Sequence, residues 1–169
     1  MAIEEYWIDG FNLFHRWETT REAFQTPGAD MGAVQTRSLR ALGKLLGRRA
    51  GRIVVFLDGG PHALSTRVGD LRVRWPGPGR SADRMLEEAL QGRGAAAATV
   101  CAVTDDRELA AGLSYLGATR WTVSEFLAWA ERARPAERSP EFERKCRRLS
   151  PAEIEGWLDY FGGETPEPR

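Results

Sequence analysis

The sequence predicts an α/β fold with a mainly parallel central sheet, and three observations predict it. Short apolar runs alternate with helix-period segments along most of the chain. The clearest run, Ile53–Leu57, is five consecutive apolar residues, the composition of a strand buried on both faces, as parallel strands are. Three of the runs also end in aspartate: at Asp9, at Asp58, and at the pair Asp105–Asp106.

The elements follow in order. "EEYWIDGFN" opens with a short strand, Glu4–Ile8, that ends at Asp9, and a loop is expected from there to about Asp30. Val34, Leu39, Leu42, Leu45 and Leu46 then recur near a period of 3.6, one face of a helix that Gly51 breaks. "RIVVFLDGG" is the next strand. "GDLRVRWPGPG" alternates Leu71, Val73 and Trp75 against Arg72 and Arg74, a half-exposed strand stopped by Pro-Gly pairs. "SADRMLEEALQGRG" is a helix with Ser81 as N-cap. "AAAATVCAV" (Ala95–Val103) reads as a strand, "DRELAAGLSYLG" as a helix closed by Gly117, "ATRWTV" as a short strand and "SEFLAWAERA" as a helix capped by Ser124. A polar crossing with Pro135 and Pro140 leads to "SPAEIEGWLDYFGG". There Ser150, Pro151 and Glu153 form a helix-start signature, and Ile154, Trp157, Leu158 and Phe161 an apolar stripe. The expected organisation is one domain over residues 1–133, then residues 134–169 carrying an amphipathic helix (149–162) docked on it.

Composition sets bounds. A chain of 169 residues buries a core without staples. Cys101 and Cys146 show no metal-ligand spacing; Cys101 reads as a small buried apolar residue, as fits a reducing compartment. No leader and no membrane-length apolar segment is visible, so a cytoplasmic protein without a membrane partner is expected. Net charge is zero, with 24 basic and 24 acidic residues. Arginine supplies 22 of the basic residues, which fits either a composition bias or phosphate contact.

The chemistry lies in the carboxylates. In a parallel sheet the strand ends at Asp9, Asp58 and Asp105–Asp106 point to one edge, where open α/β folds place their sites. Asp83, two residues after a helix cap, can reach the same edge, and Glu87 lies one turn beyond it. Converging carboxylates repel one another unless a hard cation sits between them, and oxygen-only ligation favours Mg2+ or Mn2+. Such an ion beside a phosphodiester would activate water. Each acid also has a plainer reading. Asp83 can complement a helix dipole, and Asp58 and Asp9 can each open a turn, with Asn12 satisfying the backbone. Ser81 and Thr104 can hydrogen-bond a carboxylate or a phosphate, or merely cap helices. Of the doublet, one aspartate is expected to face the cation while the other caps the helix or supports it. A dinucleotide site is disfavoured by the absence of G-x-G-x-x-G after the first strand. An aspartyl phosphotransferase is disfavoured because Gly60 stands where a second acid is needed.

"YWIDGFNLF", "IVVFLDGG", "GRSADRMLEEAL", "AVTDDREL" and "LGATRWTVSEFLAW" together resemble NYN domains, a branch of the PIN-like nuclease superfamily. Within it they are most similar to the YacP-like bacterial set, some of which are ribosome-associated RNA endonucleases. The resemblance covers about Ile3 to Ala130. It implies a three-layer PIN-like fold and a Mg2+-dependent ribonuclease centre. The family's first acid falls on Asp9, its asparagine on Asn12, its mid-domain acid on Asp83 and its strand-end acid on Asp58. Its metal-facing acid falls on Asp106, and Asp105 departs from the usual serine, so a metal role for Asp105 stays open. The segments "ETTREAFQTPG" and "HALSTRVGDLRVRWPGPG" depart from the family pattern.

The expectation is therefore an endoribonuclease acting on RNA, with ribosome-associated mRNA as one candidate substrate, as a monomer or homodimer. Asp9, Asp83 and Asp106 hold the ion, with Asp58 direct or through water, and Asn12 orients a water or Asp9. Arg67, Arg72, Arg74 and Arg80 are candidates for phosphate contact, with Arg16 and His62 as lesser ones. Trp75 can stack on an unpaired base or simply pack. The alternative is a catalytically silent RNA- or ribosome-binding module of the same fold.

Overall fold

Strand β1 (Glu5–Asp9) shows why the sheet is central. Tyr6, Trp7, Ile8 and Asp9 are all buried, with Tyr6 and Ile8 on one face and Trp7 on the other. The computed structural model describes residues 2–59 and 65–132. The remaining elements are α1 (Gly10–Arg16), α2 (Glu18–Gln25), α3 (Met31–Leu46), β2 (Ile53–Phe56), β3 (Ser65–Val68), β4 (Leu71–Arg74), α4 (Ala82–Gln91), β5 (Val100–Val103), α5 (Arg107–Tyr115), β6 (Thr119–Trp121) and α6 (Val123–Arg132). The strand order is β3-β4-β2-β1-β5-β6, parallel throughout except for the antiparallel edge strand β3.

Three layers result. Ile8, Ile53, Val55, Leu57, Leu71, Val73, Cys101 and Val103 face α1, α2, α3 and α6; Trp7, Val54, Phe56, Val100 and Ala102 face α4 and α5. Burial on both faces is what the unbroken apolar runs of β2 and β5 encode. Cys101 is fully buried, and burial pushes its thiol up to about 12, an inert core residue as expected. The α/β architecture with helices on both faces of a mainly parallel sheet is the one the sequence predicts.

Several local expectations are corrected. The segment read as a loop to Asp30 holds α1 and α2, and α1 starts directly after Asp9. Helix α3 stops at Leu46, where Gly47 takes φ +53°, and residues 47–52 form a 3-10 turn. Residues 94–99 are likewise 3-10, so only Val100–Val103 of the alanine-rich run pairs as strand. Strand β3 was not anticipated. The α6 cap is Thr122, not Ser124. Its hydroxyl accepts from Glu125 N (3.2 Å), while the Glu125 carboxylate accepts from Thr122 N (2.7 Å), a reciprocal capping box. Ser81 caps α4 as expected. His62, Cys146 and the expected helix 149–162 lie outside the described residues. No helix among the described residues is long and apolar enough to cross a membrane.

Candidate functional site

The site is built at the carboxyl ends of β1, β2 and β5, where strand order reverses around β1. Asp9 ends β1 and caps α1. Its Oδ1 accepts from Asn12 N at 3.1 Å, and its Oδ2 accepts from the Thr104 hydroxyl at 3.1 Å. Thr104 in turn accepts from Asp106 N at 3.1 Å. The chain can turn straight from strand to helix because Gly10 has no side chain: a Cβ there would lie 2.6 Å from Leu57 Cδ2 and 2.8 Å from Val55 Cγ1.

Asp58 follows β2. Its Oδ1 accepts from Ala82 N at 2.8 Å, tying the start of α4 to the sheet edge, while its carbonyl accepts from Gln35 Nε2 at 2.9 Å. That tie delivers Asp83, in the first turn of α4, to the same edge. Asp9, Asn12, Asp58 and Asp83 line one open groove of about 440 Å3, together with Phe11, His15 and Arg16. Phe11 and His15 stack at 5.4 Å. Phe11 is not singled out by the sequence, and His15 reads there as a loop residue with a surface or supporting role; their spacing of four residues on a helix is hidden by reading the segment as a loop.

Both aspartates of the doublet serve backbone. Asp106 Oδ1 caps α5, accepting from Glu108 N (2.8 Å) and Leu109 N (2.9 Å). Asp105 Oδ1 accepts from Val123 N at the start of α6 (3.1 Å), and its Oδ2 pairs with Arg16 Nε (3.0 Å). Asn12 Oδ1 lies 3.4 Å from Asp105 N.

The electrostatics show that the acids sense one another. Burial raises the pKa of Asp9, and the charges of Asp106 and Asp58 add to it, against the bonds from Asn12 and Thr104. Burial, then Asp9, Asp58, Asp106 and Glu87, raise Asp83 to about 6. Among the described residues no three His, Cys, Asp or Glu side chains are already gathered as metal ligands. The donor set nevertheless fits a hard divalent cation: the groove offers carboxylate oxygens and one amide, with the His15 imidazole beside them and no thiolate, and the repulsion among the carboxylates is what such a cation relieves.

The remaining candidates spread along β4 and α4. Arg72 and Arg74 sit on the sheet face opposite Val73, with Arg67 paired across from Arg72. Arg72 bonds Glu5 at 2.7 Å, and its Nε is buried without a partner. Glu5 also takes bonds from Trp7 (3.0 Å) and Arg93; burial works against ionisation, but these bonds prevail and hold its pKa below the usual value. Arg74 stands over the Phe56 ring. Arg80 pairs with Glu88, which also bonds Arg84. Trp75 is half-buried against the core. Glu87 reaches toward Gly112 of α5.

The model of the YacP-like NYN domain matches residues 6–156. Among solved structures the chain is similar to a crystal structure of Rae1 (YacP) from Bacillus subtilis, with 17% identity and a TM-score of 0.59 over 95% of this chain and 88% of that one. A point mutant of the same protein gives 17% identity and a TM-score of 0.58 over 97% and 86%. At that identity the likeness speaks for the fold. No curated protein matches significantly.

Proposed function

The chain belongs to the YacP-like NYN domain family, and from that membership and the acidic edge we propose that it is a metal-dependent endoribonuclease that hydrolyses RNA phosphodiester bonds. The observation that carries the reading is Asp83. It stands in the same groove as Asp9 and Asp58, and its pKa is raised first by desolvation and then by the charges of Asp9, Asp58, Asp106 and Glu87, a gathering of acids that a fold keeps when a cation and a phosphate are to share the space.

Asp9, Asp83 and Asp106 would hold Mg2+ or Mn2+, with Asp58 direct or through water. The bound ion supplies positive charge for the phosphate oxygens and lowers the pKa of a water. The chain's own groups prepare that place. Thr104 fixes one oxygen of Asp9 and the Asn12 amide N–H fixes the other, so the carboxylate is set before substrate arrives. Asp58 spends one oxygen on α4 and thereby sets how far Asp83 stands from the strand ends. Arg16 at the groove rim is partly neutralised by Asp105 and remains largely exposed, within reach of a backbone phosphate. Arg67 and Arg74 extend positive charge along β3 and β4, whereas Arg72 and Arg80 already have carboxylate partners. RNA is the proposed partner.

A second reading has its own support. Asp58, Asp105 and Asp106 each cap a helix, so the acids have a structural use, and a silent RNA- or ribosome-binding module would keep them for that reason. End-labelled single-stranded and structured RNA, incubated with Mg2+, Mn2+ or chelator, separates the two. Metal-dependent cutting lost in folded Asp9→Asn and Asp106→Asn supports the nuclease. Salt-dependent binding without cutting, repeated with ribosomes present, supports the module. Cutting that survives both substitutions refutes the proposed site.

A further inference from the structure

Between Asp30 and Asp58 the chain contains no acidic residue but six basic ones: Arg37, Arg40, Lys44, Arg48, Arg49 and Arg52. In a chain of zero net charge this is a strong local imbalance. Two of the six are used internally. Arg49 bonds the Trp129 carbonyl (3.2 Å) and lies over its ring, and Arg52 bonds the carbonyls of Glu4 and Ile3. The other four are exposed and form no ion pair among the described residues.

Those four share one side. Positions 37, 40 and 44 fall within about 60° on a helix of 3.6 residues per turn, and Arg48 follows on the turn after Gly47. Val34, Leu39, Leu42 and Leu46 take the opposite side, into the core. The stripe has a direction. The first turns of α3 stand at the acidic edge, where Gln35 bonds the Asp58 carbonyl. Arg48 lies just before β2, at the opposite edge of the sheet. The run from Gln35 to Arg48 is about 20 Å at 1.5 Å per residue. Its far end widens into a groove of about 530 Å3 lined by Arg40, Lys44 and Arg48 and by Gly43, Gly47 and Gly69, whose lack of side chains leaves room for a chain to lie close. Two acids border the stripe, Asp70 at this groove and Glu131 beside Lys44, and neither pairs with it.

We propose that Arg37, Arg40, Lys44 and Arg48 form a track for the phosphate backbone of a single RNA strand, leading from the acidic groove along the outside of α3 to the far edge of the sheet. A linear row of evenly spaced cations with no interleaved acid complements a linear polyanion; a compact ligand would need them converging. The choice of RNA among polyanions rests on the function proposed above. The track itself acts through charge and spacing, and it works without metal and without cleavage.

The test uses the full chain in chelator, with fluorescence anisotropy of a labelled 24-nucleotide and a 6-nucleotide single-stranded RNA across a salt series. The variants are Arg37→Gln/Arg40→Gln/Lys44→Gln/Arg48→Gln, the charge-keeping Arg37→Lys/Arg40→Lys/Arg48→Lys, and Asp9→Asn, each checked for folding. Each lost phosphate contact reduces the slope of log K against log salt by about 0.7 on single strands. The glutamine variant is expected to lose about 2–3 from the slope and about tenfold in affinity for the long RNA, with little change for the short one. The lysine variant keeps the wild-type slope, and Asp9→Asn serves only to remove cleavage. An unchanged slope in the folded glutamine variant overturns the track, even if the wild type cleaves RNA with Mg2+. A lost slope with no cleavage under any condition leaves the track standing and refutes only the nuclease. Tighter retention on phosphatidylserine vesicles than on RNA, abolished by the same substitutions, overturns RNA in favour of a lipid surface.

Discussion

Replacing Asp83 by asparagine removes the carboxylate on which the repulsion of the site converges. Its folded-state pKa stands at about 6 against the ordinary 3.8, through partial desolvation and the charges of Asp9, Asp58, Asp106 and Glu87. The sign follows from linkage. The raised pKa means that the folded state holds the proton more tightly than the unfolded state does. Stability is therefore highest below about pH 4 for this group, falls as pH rises toward 6, and is flat beyond about 7. Taken at face value the difference corresponds to about 3 kcal/mol at 1.36 kcal/mol per decade. Asp83 is solvent-exposed, so screening leaves about 1 kcal/mol. Asp83→Asn, in chelator-treated buffer, is thus expected to be more stable than wild type by about 1 kcal/mol at pH 7.5, and equal to it near pH 4. Urea titrations at pH 4, 5.5 and 7.5 read both numbers. The same protein loses metal-dependent cleavage. A variant less stable than wild type at pH 7.5, or a difference independent of pH, refutes the electrostatic reasoning.

Other expectations follow from the same geometry. Mg2+ at about ten times its Kd stabilises the wild type by about 1.4 kcal/mol in denaturant titrations, and Asp83→Asn shows a clearly smaller gain; equal gains in both place the ion elsewhere. Thr104→Val takes away the donor to Asp9 and the acceptor of Asp106 N, and costs about 1–3 kcal/mol together with a fall in kcat, read by urea titration and single-turnover cleavage. Gly10→Ala forces a methyl against Leu57 and Val55 and destabilises by about 1–3 kcal/mol, visible as a lower Tm. Arg16→Ala changes stability by less than about 1 kcal/mol, because its pairing with Asp105 is exposed, but raises KM for RNA; an unchanged KM removes Arg16 from the binding surface.

The sheet and its acidic edge were legible because the signal is local. An apolar run of four or five residues followed at once, or after one threonine, by an aspartate marks both a strand and the place where it ends, as at Ile53–Asp58 and Val100–Asp105. The meaning of each acid was less legible, since capping and ligation use the same residue at the same position. The Asp105–Asp106 doublet is the instance: one residue secures α5 and the other α6, and these partners lie 2–3 and 18 residues away. Helices α1 and α2 were hidden because seven and eight residues give barely two turns of periodicity, and Trp17 breaks the pattern between them. The alanine run before β5 carries neither period nor branching to separate strand from 3-10 turn. Arg72 looked like one of several outward arginines on a half-exposed strand. Its carboxylate partner, Glu5, lies 67 residues away on β1, a strand not adjacent to its own.

The way α4 is fastened divides the acidic edge into two mechanical halves. Asp9 belongs to the central strand, buried between two layers, and its amide can exchange with solvent only when the sheet itself opens. Asp83 rides on the exposed first turn of α4, whose buried Ala82, Leu86 and Leu90 pack into the core and whose Ala82 N bonds Asp58. The Asp83 side chain, outside that packing, can change rotamer and so its distance from the Asp9 carboxylate without disturbing the core. One jaw is fixed and the other is sprung, so the spacing at this edge adjusts to its occupant from one side only.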